Sequence, residues 1–147
     1  MANIVPDSFK TDLLGGVFDF DSGGSTFKLA LYTDISGFST STTAYTVTNE
    51  VSSSGTNYTA GGNTLTNNGV AIASNIAYVD FADLTFSSVT ITAVGALIYK
   101  DTTNEAVLVL DFGGDKTATN GDFVIQFPTA DSSNAILDLA TRNKILE

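Results

Sequence analysis

Oxygen is the main chemical resource of this sequence, which carries sixteen Asp and Glu but no histidine and no cysteine. Without histidine, a Ser or Thr nucleophile lacks its usual base. Without either residue, zinc and iron–sulfur sites lack their common ligands. Carboxylates remain. A pair of them can hydrolyse a glycoside, and Glu50 and Glu105 are the only internal glutamates. Glu105 falls in a predicted hairpin turn, however, and nothing in the spacing sets two acids in one cleft. Hard oxygen ligands also suit Ca²⁺. Asp111-Phe112-Gly113-Gly114-Asp115 with Asn120 and Asp122 is one candidate cluster, and Asp19-Phe20-Asp21-Ser22-Gly23 is another. The second lacks the glutamate twelve residues from its start that closes an EF-hand loop, because position 30 is alanine. Asp beside Gly is also ordinary turn chemistry. The expectation is a chain that is not an enzyme, with no catalytic residue, no metal and no cofactor.

Charge narrows the partners. Six Lys and Arg against sixteen Asp and Glu leave a net charge of −10. The six cations, Lys10, Lys28, Lys100, Lys116, Arg142 and Lys144, are scattered along the chain. Nucleic acid needs clustered cations to displace phosphate counterions, and an anionic membrane repels an acidic chain. Both classes are excluded as expectations. The start, MANIVPDSFKTDLL, has no basic region ahead of an apolar run, so no signal peptide is expected. With charged residues at only 15%, the surface must consist largely of Ser, Thr, Asn and Gly, which cost less to desolvate than Lys and Glu. Such a surface suits contact with neighbours. Asn57-Tyr58-Thr59 fits a glycosylation sequon, but chance matches are expected in so Asn- and Thr-rich a chain.

The elements that would position these residues are mostly strands. Only the start reads as helix: Pro6-Asp7-Ser8 offers a cap, Phe9, Leu13 and Leu14 share a face, and Gly15-Gly16 gives a stop, for a short helix over about 7–15. Two turns are not stable alone, so that face must dock on something. Residues 27–33 alternate, with Phe27, Leu29 and Leu31 on one face. Residues 36–43 are rich in Ser and Thr, 44–48 are extended, and 52–69 read as a long loop with a short strand around 63–66. Short extended pieces follow at 76–80 and 84–86. The clearest strand is 89–99, which like 106–112 is apolar on both faces and must be covered on both sides. Gly95 marks a bulge. Residues 101–105 form a hairpin connection, 113–121 a loop, 123–127 a strand and 135–140 a last strand before the polar tail 141–147. The sum is a single all-β domain over 1–147: an antiparallel β-sandwich, jelly-roll-like or immunoglobulin-like, with one short N-terminal helix.

The order of segments SFKTDLLGG, TFKLALYT, TNYTAGGNTLTNNGVAI, FADLTFSSVTITAVGALIYKDT and DFGGDKTATNGDFVIQFP resembles a group of small structural proteins of tailed-bacteriophage virions. The likeness runs from about residue 8 to 139 and supplies no functional residues position by position. It implies a β-rich protein made in the host bacterial cytoplasm and present in many copies on the particle. The favoured role is a capsid decoration (cement) protein on the exterior of the head. Its partners would be the major capsid protein or other virion proteins, with a homo-oligomer, such as a trimer, compatible with that role. A neck, tail or fibre component is the alternative within the resemblance. Outside it stands a carbohydrate- or host-surface-binding module, for which Tyr32, Tyr45, Tyr58, Tyr78 and Tyr99 would be the platforms. Candidate partner contacts are Ile4, Val5, Phe9, Leu13 and Leu14, which would otherwise pack on the chain's own sheets.

Overall fold

The computed structural model describes residues 2–140; the predicted polar tail at 141–147 lies outside them. Among the described residues are one helix, α1 (Asp7–Leu14), and seven strands: β1 (Phe27–Tyr32), β2 (Asn63–Thr64), β3 (Asn67–Ala73), β4 (Ile76–Phe81), β5 (Leu84–Lys100), β6 (Ala106–Ile125) and β7 (Leu137–Leu139). All pairings between them are antiparallel. They form two sheets, ordered β2-β1-β5-β6 and β3-β4-β7. This is the expected all-β, sandwich-like fold with one short helix. No helix among the described residues is long and apolar enough to cross a membrane.

The β5–β6 hairpin is the spine. Its two strands stay paired from Tyr99↔Ala106 at the turn to Leu84↔Ile125 at the far end. Residues 113–121 are therefore not the loop that their Gly, Asp, Thr and Asn content predicts. Between Gly95↔Asp111 and Ala93↔Lys116, β6 carries three more residues than β5. The turn chemistry of Gly113 (φ 78°) and Gly114 is spent on a wide bulge, after which pairing resumes. Ser88 and Asn120, both with positive φ, sit where the register shifts again near Val89. A second departure is β3, whose residues 70–73 the sequence left unassigned. Ser74 (φ 51°) and Asn75 (φ 65°) make a two-residue left-handed turn into β4, the geometry that matches strand twist in a hairpin.

β1 and the adjoining halves of β5 and β6 are covered on both faces, as their doubly apolar pattern requires. On one face Phe27, Leu29, Leu31, Ile98 and Leu108 join the main core. The N-terminal arm is stacked into that core: Phe20 lies on Phe27 with ring centroids 4.6 Å apart and planes 5° off parallel, and Phe27 meets Phe81 of β4 edge-on at 5.9 Å. On the other face Ala30, Tyr32, Leu97, Tyr99 and Val109 form a second core. No sheet covers it. Ile35 and Phe38 come from the loop that follows β1, Ile4 and Tyr45 pack at its margin, and Phe38 meets Tyr32 edge-on at 4.9 Å.

Helix α1 begins after Pro6, which makes no side-chain cap bond. The Asp7 N–H donates instead to the Thr40 carbonyl at 2.8 Å, and Ser8 Oγ donates to the Thr42 carbonyl at 3.2 Å. The loop that covers the second core thus also satisfies the first orphan N–H of the helix, that of Asp7, and holds the Ser8 side chain.

Candidate interaction surface

A cover made of loop must be pinned by hydrogen bonds, since it has no ladder of its own. Glu50 supplies the pin. Its Oε1 accepts from the Tyr58 hydroxyl at 2.8 Å and from the Gly61 N–H at 2.6 Å. Its Oε2 accepts from the Tyr45 hydroxyl at 2.6 Å. Tyr99 Oη donates to the Gly61 carbonyl at 2.6 Å, and Tyr32 Oη donates to the Thr46 carbonyl at 2.7 Å. Tyr45 stacks on Tyr99 with centroids 4.6 Å apart. Burial, with the Glu50 charge beside it, pushes the Tyr99 hydroxyl up to about 12. The same two causes raise Tyr32 and Tyr58 further, with the Tyr58–Leu31 and Tyr32–Thr46 backbone bonds opposing. Tyr45 is raised by desolvation and then by its bond to Glu50. A carboxylate holding three donors is a fastening in this arrangement.

These positions bear on two sequence expectations. Tyr32, Tyr58 and Tyr99 are buried, which withdraws their rings from a sugar, while Tyr45 and Tyr78 are half-buried and Tyr78 lines the groove described below. The acidic clusters are drawn into backbone contacts. Asp111 is held below the usual carboxylate range, chiefly by the Gly113 N–H that donates to it at 2.8 Å. Asp122 Oδ1 accepts from the Ser88 N–H at 3.1 Å. Asp19 Oδ1 accepts from the Asp21 N–H at 3.0 Å. Among the described residues no three of Asp, Glu, His or Cys gather where a metal ion would bind. Glu105 ends the β5–β6 turn, with its carboxyl lowered chiefly by the Thr103 hydroxyl.

The five candidate contact residues divide. Ile4 exchanges both backbone hydrogen bonds with Val109, each 2.9 Å, adding a one-residue bridge to the edge of β6. Phe9 is buried in the main core, with Val5 and Leu13 packed against it. Leu14 stays 87% exposed.

Leu14 stands at the rim of an apolar groove of about 440 Å³. One wall is helical, from Phe9, Lys10, Leu13 and Leu14. The other is the β3-β4-β7 sheet, where Val70 pairs with Val79 and Val79 with Leu137, while Ile72 pairs with Ala77 and Ala77 with Leu139. Cross-strand partners share a face, so these two rows form one apolar sheet face. Its inner row reaches the core through Val79 and Leu137. Its outer members are open: Ile72 is 72% exposed, Val70 52% and Leu139 48%. No family model, curated protein or solved structure matches this chain. The surface therefore has to be read from its own chemistry. Alternation in β3 was the signal for it in the sequence, hidden because the strand begins inside a Gly- and Asn-rich run.

A second concavity of about 500 Å³ lies along β6, floored by Phe112, Phe123, Ile125 and Phe127 and edged by Lys116 and Asp122. It mixes polar and apolar atoms and brings no set of polar groups onto one point.

Proposed function

We propose that this chain is a non-enzymatic structural protein of a tailed-phage virion, a capsid decoration (cement) protein that binds the outer head lattice and stabilises it. The observation that carries this reading is the open apolar face of Leu14, Val70, Ile72 and Leu139 on a chain whose surface is otherwise short in charge. Monomeric proteins seldom leave several large aliphatic side chains together in water, and such patches mark contact sites. The ordered resemblance to virion proteins supplies the kind of partner. Apolar burial contributes roughly 25 cal/mol per Å² before the cost of immobilisation, so a weak contact repeated over a lattice adds up. A net charge of −10 favours the outside of a head over the packaged DNA within it.

Two measurements test the proposal. Purified protein added to expanded, undecorated heads should bind saturably with lattice stoichiometry; absence of binding sinks the capsid assignment. Mass spectrometry of particles split into heads and tails should find hundreds of copies in the head fraction. A few copies confined to tails would replace decoration with a neck, tail or fibre role.

A further inference from the structure

Residues 33–62 join β1 to β2 with no helix or strand of their own. Connections longer than about 12–15 residues are uncommon in compact domains unless they carry a function. Covering the second core accounts for Ile35, Phe38 and Tyr45, but the first half of this loop also has an outer side. The loop closes at its base, where the Thr33 N–H and Oγ1 both donate to the Asn49 carbonyl, at 2.9 and 3.1 Å. Glu50 fastens the next residue to Tyr45 and Tyr58. The outer side is thus held in one shape before a ligand arrives, which lowers the cost of binding.

Two hollows lie on that side and meet at Asp34. The first, of about 390 Å³, is lined by Ser41, Thr43, Thr48, Asn49 and Phe38. The second, of about 400 Å³, runs past Ser36 and Val94 to Gly113 and Gly114 of the wide bulge. Among the described residues no protein group bonds the side chains of Ser41, Thr43, Thr48 or Asn49, and no lysine or arginine lines either hollow. Hydroxyls and a carboxamide each donate and accept. Ser36 holds the Asp34 carboxylate at the junction, its N–H donating to Oδ1 at 2.8 Å. A groove of this make-up offers nothing to a phosphate or sulfate. It matches a linear ligand that is uncharged and carries donors and acceptors along its whole length.

We infer that this groove binds a neutral oligosaccharide, with one sugar unit in the first hollow and the chain continuing over Asp34 towards the bulge. The site shares no lining residue with the apolar groove beside α1, so the inference goes beyond head binding and does not depend on it.

A glycan array of linear neutral glucans, mannans and galactans beside sialylated and sulfated chains tests this on the full chain, followed by calorimetry with the best-bound neutral tetrasaccharide. Binding confined to neutral chains is expected. Asp34→Ala and Thr48→Ala should each weaken it by roughly threefold to tenfold, the worth of one hydrogen bond. Gly37 lines the first hollow, needs no positive φ and has no atom within 4 Å of an added β-carbon. Gly37→Phe should therefore keep the wild-type circular dichroism spectrum and abolish binding by filling the space. Thr119→Ala, exposed and outside both hollows, should change nothing. Silence across the neutral chains overturns the inference, as does a preference for the acidic ones, binding that survives Gly37→Phe, or equal responses to Asp34→Ala and Thr119→Ala. Head binding measured on the same variants separates the two readings. Gly37→Phe should still bind heads; its loss there would place the hollow against the lattice and overturn the inference. Sugar binding by a chain that ignores heads would uphold the inference and sink only the decoration role.

Discussion

The hydroxyl of Tyr58 joins Glu50 to Leu31: it donates to Glu50 Oε1 at 2.8 Å and accepts from the buried Leu31 N–H at 3.0 Å. One phenol thus ties the covering loop to a backbone group of β1.

Tyr58→Phe keeps the ring against Phe86 and removes only the oxygen. Leu31 N–H is then buried without an acceptor, and Glu50 loses a donor. Unmet buried groups cost about 1–3 kcal/mol, so chemical denaturation should show a loss in that range. Tyr45→Phe should cost less, because Tyr45 is only half-buried and water can replace it. Equal losses would show that the ring positions matter more than the Leu31 bond.

Alkali should strain the same cluster. Tyr32, Tyr45, Tyr58 and Tyr99 all ionise above their usual value of 10.0 in the folded chain, Tyr99 at about 12. Between those pH values the folded state holds protons that the unfolded state releases, so stability is full below pH 10 and falls as pH rises past it. Denaturant midpoints measured from pH 9 to 12 should decline, and tyrosinate absorbance should rise together with unfolding. Ionisation of these four tyrosines near pH 10 in a folded protein would contradict the burial of the cluster.

Gly95 is expected to tolerate no side chain. A β-carbon there would collide with the Leu110 carbonyl and come within 2.8 Å of Ile35 Cγ2. Gly95→Ala should destabilise by about 1–3 kcal/mol through overpacking. Gly37→Ala meets nothing within 4 Å and needs no positive φ, so thermal unfolding should find it neutral or slightly stabilised.

The aromatic stack offers the largest single loss. Phe27→Ala removes a ring 1% exposed that contacts Phe18, Phe20 and Phe81, and should cost about 3–5 kcal/mol. Leu14→Ala should fall within about 0.5 kcal/mol of wild type, which calorimetry on dilute protein would resolve.

What the sequence determined by itself is the local and the chemical. Alternation in 27–32 and apolar residues on both faces of 96–99 and 106–110 require strands covered on each side, and the structure supplies two cores for them. The lone helix follows from spacing and a glycine stop. What only tertiary structure decided is every choice that depends on a distant partner. Gly113-Gly114-Asp115 reads as loop, and β5 overturns that reading, because Thr92 and Ala93 pair with Thr117 and Lys116 and would otherwise leave backbone groups unmet. Glu50 looked like any surface acid, since the donors that surround it stand 5, 8 and 11 residues away in a loop without periodicity. The apolar face was likewise hidden: Ile72, Ala77 and Leu139 become neighbours only when β3, β4 and β7 align in register, a pairing that depends on hydrogen bonds between distant segments and not on the pattern within any one of them.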